Sequence, residues 1–156
     1  MSPEVGEIRF TRLDETDFDW VWHVYCMTTR NQVELVVDWP ESEHRRIRRR
    51  ALRRGGMEAI WVPSGERVGL VDIAQEDEDL SIRHLEVLPD LQGRGVGTLV
   101  VQAVIERAAA TGRGVTLRVQ HTNPRAHALY RRLGFVVTES HQDVVSMRHP
   151  PERRRI

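Results

Sequence analysis

Gln92-Gly93-Arg94-Gly95-Val96-Gly97-Thr98 sets glycines at alternate positions just ahead of an apolar helical repeat. Val96, Leu99, Val100, Ala103 and Val104 recur at spacings of three and four, which predicts a helix from Gly95 to Ala110. Ahead of the glycines, Leu80 to Val87 reads as a strand. Strand, glycine turn and helix start together make a phosphate site. The first N–H groups of a helix lack intrahelical partners and carry the positive end of its dipole. Glycines let the backbone approach anionic oxygens closely. Thr98 adds a hydroxyl donor and Arg94 a cation. A purely structural tight turn is the competing reading. A Walker loop needs Gly-Lys-Ser/Thr, and the chain has no lysine. A dinucleotide fingerprint needs G-x-G-x-x-G beside a first parallel strand, whereas the spacing here is G-x-G-x-G in mid-chain.

Working upstream, Arg67–Ile73 and Glu58–Val62 are two more strands, joined by the turn Pro63-Ser64-Gly65-Glu66. With the acidic tip Glu76–Asp79 and Leu80–Val87 they predict a β-meander. Before them, a helix starts at Asp38-Trp39-Pro40-Glu41, with aspartate at the cap and proline in the first turn, and stops at Gly55-Gly56. His44, Ile47 and Ala51 share one face of it. Arg45, Arg46, Arg48, Arg49, Arg50, Arg53 and Arg54 load the rest, either as a solvated surface or as a docking face for an acidic substrate or partner. Glu7–Leu13 alternates as a first strand. Asp14 or Thr16 then caps a helix running to about Thr29, with Phe18, Val21, Trp22, Tyr25 and Cys26 on its apolar face. Downstream, Val115–Gln120 is a strand, Pro124–Leu133 a short helix closed by Gly134, and Phe135–Thr138 and Val144–Met147 the last strands.

Two blocks carry a family resemblance. Leu85-Glu86-Val87-Leu88-Pro89-Asp90-Leu91-Gln92-Gly93-Arg94-Gly95-Val96-Gly97 resembles the signature of the GNAT superfamily of N-acyltransferases, Gln/Arg-x-x-Gly-x-Gly/Ala, through Gln92, Gly95 and Gly97. Asn123-Pro124-Arg125-Ala126-His127-Ala128-Leu129-Tyr130-Arg131-Arg132-Leu133-Gly134-Phe135 resembles its N-x-x-A-x-x-L-Y-x-x-x-G-F block. The resemblance implies an α/β (α+β) fold, a mixed and mostly antiparallel sheet of about seven strands with about four helices. It implies acetyl transfer from acetyl-CoA to a primary amine by direct attack, with no covalent enzyme intermediate. The cofactor-binding set it implies is Leu85, Val87, Gln92, Gly93, Arg94, Gly95, Val96, Gly97, Thr98, Asn123, Ala126 and Tyr130. In it, the amides of Gln92 to Thr98 hold pyrophosphate and Leu85 to Val87 pair with pantetheine as an added strand. Val87 N–H polarises the thioester carbonyl, Asn123 holds the pantetheine arm, and Tyr130 protonates the leaving thiolate.

The base is open at this stage. Some family members use a glutamate where Arg118 stands and others one where Ser81 stands, and neither residue here is a base. Glu86, His84, His121 and a water chain remain, with Glu86 closest to the expected reaction centre. For the acceptor, Trp20, Trp22, Trp39 and Tyr25 are either core or an aromatic pocket for a cationic amine, with Glu34 or Asp38 as counter-charge. The alternative to an enzyme is a non-catalytic acyl-CoA-binding sensor or interaction module.

Composition limits the rest. The chain has 156 residues, expected to form one domain over 1–150 with an Arg-rich disordered tail at 151–156. Its 23 basic residues, all arginine, balance 23 acidic ones, which disfavours a nucleic-acid binder. With no lysine, the protein cannot acetylate a lysine side chain of its own. No apolar stretch is long enough for a bilayer, and the acidic N-terminus is no signal peptide, so no membrane partner is expected. Cys26 is the single cysteine, fitting a reducing cytoplasm and excluding an intrachain disulfide. The seven histidines show no metal-binding spacing, so no metal is expected. Exposed strand edges allow a homodimer, an expectation that comes from family habit and not from these residues.

Overall fold

A computed structural model describes residues 7–30 and 40–152. Seven strands form one sheet in the order β1-β2-β3-β4-β5-β7-β6. By compactness the chain divides into two units, residues 1–72 with 84–97 and residues 73–83 with 98–156. Strands β3 (Arg67–Glu76) and β4 (Asp79–Val87) contribute to both.

In the first unit, β1 (Arg9–Arg12) pairs antiparallel with β2 (Met57–Trp61), which pairs antiparallel with β3 through Met57↔Asp72 and Ala59↔Leu70. The single helix expected over residues 14–29 is three segments. They are a 3-10 turn at Glu15–Asp17, α1 (Phe18–Tyr25) and a π-helical turn at Cys26–Arg30. Asp14, not Thr16, is the cap. Its Oδ1 accepts from Thr16 N–H at 2.8 Å while Asp17 Oδ2 accepts from Asp14 N–H at 3.0 Å, a reciprocal capping box. Helix α2 (Glu41–Arg54) begins with Pro40 at the cap position and no side-chain cap. The expected cap Asp38 lies outside the described residues, as do Trp39 and Glu34.

The apolar face of α2 also differs from expectation. Ile47 is 53 % exposed, and the inward face is Arg48, Ala51 and Leu52. With seven arginines on the helix, a pattern search prefers any isoleucine, but rotation about the axis is set by the best packing stripe. Ala51 and Leu52 join Leu13, Phe18, Val21, Trp22, Val24, Tyr25, Met57, Ala59 and Leu70 in one core cluster. Fully burying a side chain such as Phe18 contributes about 1.5–3 kcal/mol.

In the second unit, the start of β4 pairs parallel with β5 (Val115–Gln120) over Leu80–Ile82 and Val115–Leu117. β5 pairs antiparallel with β7 (Val144–His149), and β7 with β6 (Val136–Ser140). Helix α3 (Val96–Ala109) buries Val100, Val101, Val104, Ile105 and Ala108, a stripe turned slightly from the expected one. Helix α4 (Pro124–Arg132) follows β5. Arg148 on β7 donates two hydrogen bonds to Asp79, at 2.8 and 2.9 Å, and Gly114 N–H donates to the same carboxylate at 3.1 Å. This holds the head of β4 to the strand that follows α3. No helix among the described residues is long and apolar enough to cross a membrane.

Candidate active site

The glycine loop folds as its composition requires. Gly93 and Gly95 have φ of 76° and 83°, left-handed conformations that an L side chain resists. They turn the chain from a 3-10 turn at Pro89–Leu91 into the head of α3. Nothing lies within 4 Å of where a Cβ would stand at Gly95 or Gly97, so the helix start is open for an approaching group. Gln92, Gly93 and Arg94 are exposed, and Val96 is buried as the anchor of the turn. The Gln92 side-chain amide donates to the Val87 carbonyl at 2.9 Å, tying the loop to the end of β4.

That end of β4 lies tightly against β3. A Cβ on Gly69 would overlap the Glu86 carbonyl oxygen and stand 3.0 Å from Val87 Cα. Leu88 N–H donates to Val68 C=O at 2.9 Å just beyond. The Leu85–Val87 backbone is thus held on one side by β3 and at its tip by Gln92.

Glu86 is buried and both of its oxygens are engaged. Arg48 donates through Nη1 to Oε2 at 3.1 Å and through Nη2 to Oε1 at 2.6 Å. Thr29, in the π-helical turn, donates to Oε1 at 3.3 Å. The Arg48 guanidinium also lies 4.0 Å from the Tyr25 ring centroid, and the Tyr25 hydroxyl bonds His44 Nδ1 at 2.8 Å. Arg48 was legible only as one of seven arginines on a helix. The single sign of a special role is its offset from the others onto the face carrying Ala51 and Leu52.

Of the aromatic side chains expected to receive a cationic amine, Trp20, Trp22 and Tyr25 already carry the protein's own cations, as does their neighbour Phe18, and Trp39 lies outside the described residues. Arg67 lies 4.3 Å from the Trp20 centroid, Arg45 4.9 Å from Trp22 and Arg49 3.7 Å from Phe18. The outer side of α2 forms an open groove of about 400 Å³ along Ser42, Arg45, Arg46, Arg49, Arg50 and Arg53. Among the described residues, two of these carry carboxylate partners, Arg45 on Glu41 and Arg53 on Glu15.

His84 stands two residues before Glu86 on β4, on the same side of the strand. It is exposed, yet desolvation pushes its imidazole below the ordinary 6.5. Arg48 and Arg54 add to that shift, while Glu86 and Asp72 oppose it. Asp72 was not singled out by its sequence, although a carboxylate inside the apolar run Val68–Ile73 was a readable signal. It is fully buried. Its Oδ2 takes Arg54 at 3.3 Å, and its Oδ1 has no partner among the described residues.

In the second unit, Asn123 caps α4, its Oδ1 accepting from Ala126 N–H at 3.1 Å. Tyr130 is half-buried with its ring 5.6 Å from Phe135, and burial pushes its phenol above 10.0, so the hydroxyl keeps its proton. His121 Nε2 lies 2.7 Å from the His141 carbonyl, an acceptor, so that nitrogen is the protonated one. Arg118 is exposed on β5, and Ser81 is buried on β4. Among the described residues no three His, Cys, Asp or Glu side chains are grouped to hold a metal.

Known proteins place this arrangement. The model of the acetyltransferase (GNAT) family matches residues 10–135. The chain is 35% identical over 104 residues to a mycothiol acetyltransferase of Acidothermus cellulolyticus, spanning 62% of this chain and 30% of that protein. The PaiA N-acetyltransferase of Thermoplasma acidophilum, solved in complex with coenzyme A, superposes with a TM-score of 0.72 at 14% identity, over 93% of this chain and 99% of that one. The ribosomal-protein-S18-alanine N-acetyltransferase of Escherichia coli superposes with a TM-score of 0.72 at 16% identity, over 96% and 99%. The fold, the order of its strands and the family match agree: this chain belongs to the acetyltransferase (GNAT) family.

Proposed function

We propose that the protein transfers an acetyl group from acetyl-CoA to a primary amine within a ternary complex. The observation that carries this reading is the open, left-handed glycine turn at the head of α3, in a chain of an acetyltransferase family. The amides of Gln92 to Thr98, with Arg94, take the pyrophosphate. The backbone of Leu85 and Val87 takes pantetheine, and Val87 N–H faces the thioester oxygen. Asn123, whose Oδ1 is spent on the cap, offers its amide N–H₂ to the pantetheine arm, and Ala126 keeps that approach clear.

Tyr130 supplies the proton for the departing thiolate. A phenol kept protonated by burial remains an acid throughout the neutral range. Tyr130→Phe is expected to lower kcat by about 10²-fold or more while acetyl-CoA affinity stays near wild type. Unchanged turnover removes Tyr130 from the mechanism. Glu86, with both oxygens on Arg48, enters as a positioning group for the end of β4 and not as the base.

The test is a screen of small amines, amino acids, aminoglycosides and peptide N-termini with acetyl-CoA, reading thiol release. Acetyl-CoA binding without release for any of them leaves the non-catalytic sensor as the better reading.

A further inference from the structure

The outer side of α2 repeats one kind of cation at helical spacing. Ser42, Arg45, Arg46, Arg49, Arg50 and Arg53 recur at intervals of three and four and line the open groove there. The ends of this stripe are neutralised, since Arg45 pairs with Glu41 at 3.2 Å and Arg53 with Glu15 at 2.8 Å. Its centre is not. Arg46, Arg49 and Arg50 are exposed and have no carboxylate partner among the described residues. Like charges three and four positions apart on a helix repel, and Arg46 stands three before Arg49 and four before Arg50. The helix carries that repulsion on a face where a single glutamate would relieve it.

The centre is also held in place. The Arg49 guanidinium lies 3.7 Å from the Phe18 centroid, and that of Arg45 beside it 4.9 Å from Trp22. Phe18 and Trp22 are themselves buried, so both cations rest on a fixed floor. A ring against the face of a guanidinium leaves its N–H edge for an anion, and a cation already placed needs little ordering when the anion arrives.

We infer that this stripe docks an acidic segment of polypeptide, with its carboxylates on Arg46, Arg49 and Arg50. Such docking requires no acetyl transfer. Arg46 and Arg50 are separated by about 6 Å along the helix axis. Alternate residues of an extended chain are separated by about 6.6–6.8 Å and point to the same side. A segment with glutamate or aspartate at every second position therefore runs in step with the arginines, and each guanidinium offers it a two-pronged donor. A nucleic-acid backbone fits less well, because its phosphates continue without a break. The positive stripe is bounded by Glu41 and Glu43 in the first turn of α2 and by Glu15 at its other end, and the chain has no net positive charge.

Fluorescence anisotropy with the full chain tests this. The probes are a labelled peptide with glutamate at alternate positions, its glutamine counterpart and a single-stranded RNA of equal charge, with inorganic phosphate as competitor. The glutamate peptide is expected to bind, more weakly as salt rises, and the glutamine peptide not to bind. Arg46→Gln with Arg50→Gln is expected to weaken binding by about 10-fold or more. Arg131→Gln with Arg132→Gln removes the same charge from an exposed part of α4 and is expected to change it by less than about 2-fold. The α2 double variant is expected to melt no lower than wild type, since a repulsion has been relieved, so lost binding is not lost fold. Equal weakening in the two double variants overturns the inference, because only net charge is then being read. So does a wild type that ignores the glutamate peptide or binds both peptides alike. RNA bound more tightly than the peptide, or peptide displaced by millimolar phosphate, assigns the groove to another anion and overturns the polypeptide. A dimer in sedimentation that the α2 double variant dissolves gives the groove to a second copy, with the same consequence. None of these outcomes bears on thiol release, which tests acetyl transfer separately.

Discussion

Arg48 and Glu86 show how much a single partner can change the meaning of a residue. An isolated glutamate at the end of β4 reads as a base; with a guanidinium on both oxygens it is a fastening. Breaking such a buried pair from one side leaves an uncompensated charge, so Arg48→Met is expected to cost about 3–5 kcal/mol in urea unfolding. Arg48→Met with Glu86→Leu is expected to recover most of that loss, because two apolar side chains leave no charge stranded. A double variant no more stable than the single one contradicts the pairing. The sequence could not reveal the pair: its members are 38 positions apart, on a helix and a strand. Tyr130 and Asn123, by contrast, were legible as candidates because their neighbours form a contiguous motif. Asp72 fell between these cases, visible as an odd charge in an apolar strand but without a readable partner.

At the scale of elements, strand and helix positions were mostly legible and their internal breaks were not. β5 spans Val115–Gln120, as its alternation predicts. The run from Asp14 to Thr29 passes through 3-10, α and π geometry. Period alone cannot register that, since the buried stripe of Phe18, Val21, Trp22 and Tyr25 lies wholly within α1 and the turns on either side of it bury no described side chain. The close approach of β3 to β4 is likewise a matter of one missing Cβ. Gly69→Ala is expected to push the Glu86 carbonyl away, destabilise the fold by about 1–3 kcal/mol and weaken acetyl-CoA binding. Gly97→Ala acts in the opposite sense on stability. The position is helical and open, so alanine adds up to about 1 kcal/mol while its methyl group obstructs the proposed pyrophosphate. Calorimetry with and without acetyl-CoA reads both effects, and Gly97→Ala that binds acetyl-CoA as wild type does argues against pyrophosphate at that turn.

For the whole molecule, a mostly antiparallel sheet of about seven strands followed from the resemblance carried by the two motif blocks, whereas the order of its strands and the seating of the α2 arginines did not. Zero net charge conceals an arginine side whose guanidinium groups rest on aromatic rings. Acid stability depends on a different pair. Arg148 holds the Asp79 carboxyl below its usual 3.8, helped by Gly114 N–H. A depressed folded-state value stabilises the native chain above the unfolded value, and the benefit is lost as pH falls through the folded one. Acid unfolding is therefore expected below about pH 4, and Asp79→Asn is expected to flatten that part of the stability–pH curve. An unchanged slope would exclude Asp79 as a contributor. The Gln92 side chain has a further consequence. By occupying the Val87 carbonyl it works as a stopper in the last acceptor of β4. An extended, amide-bearing molecule laid along this strand would meet an acceptor already engaged at one end and not at the other, so its two directions would not be equivalent.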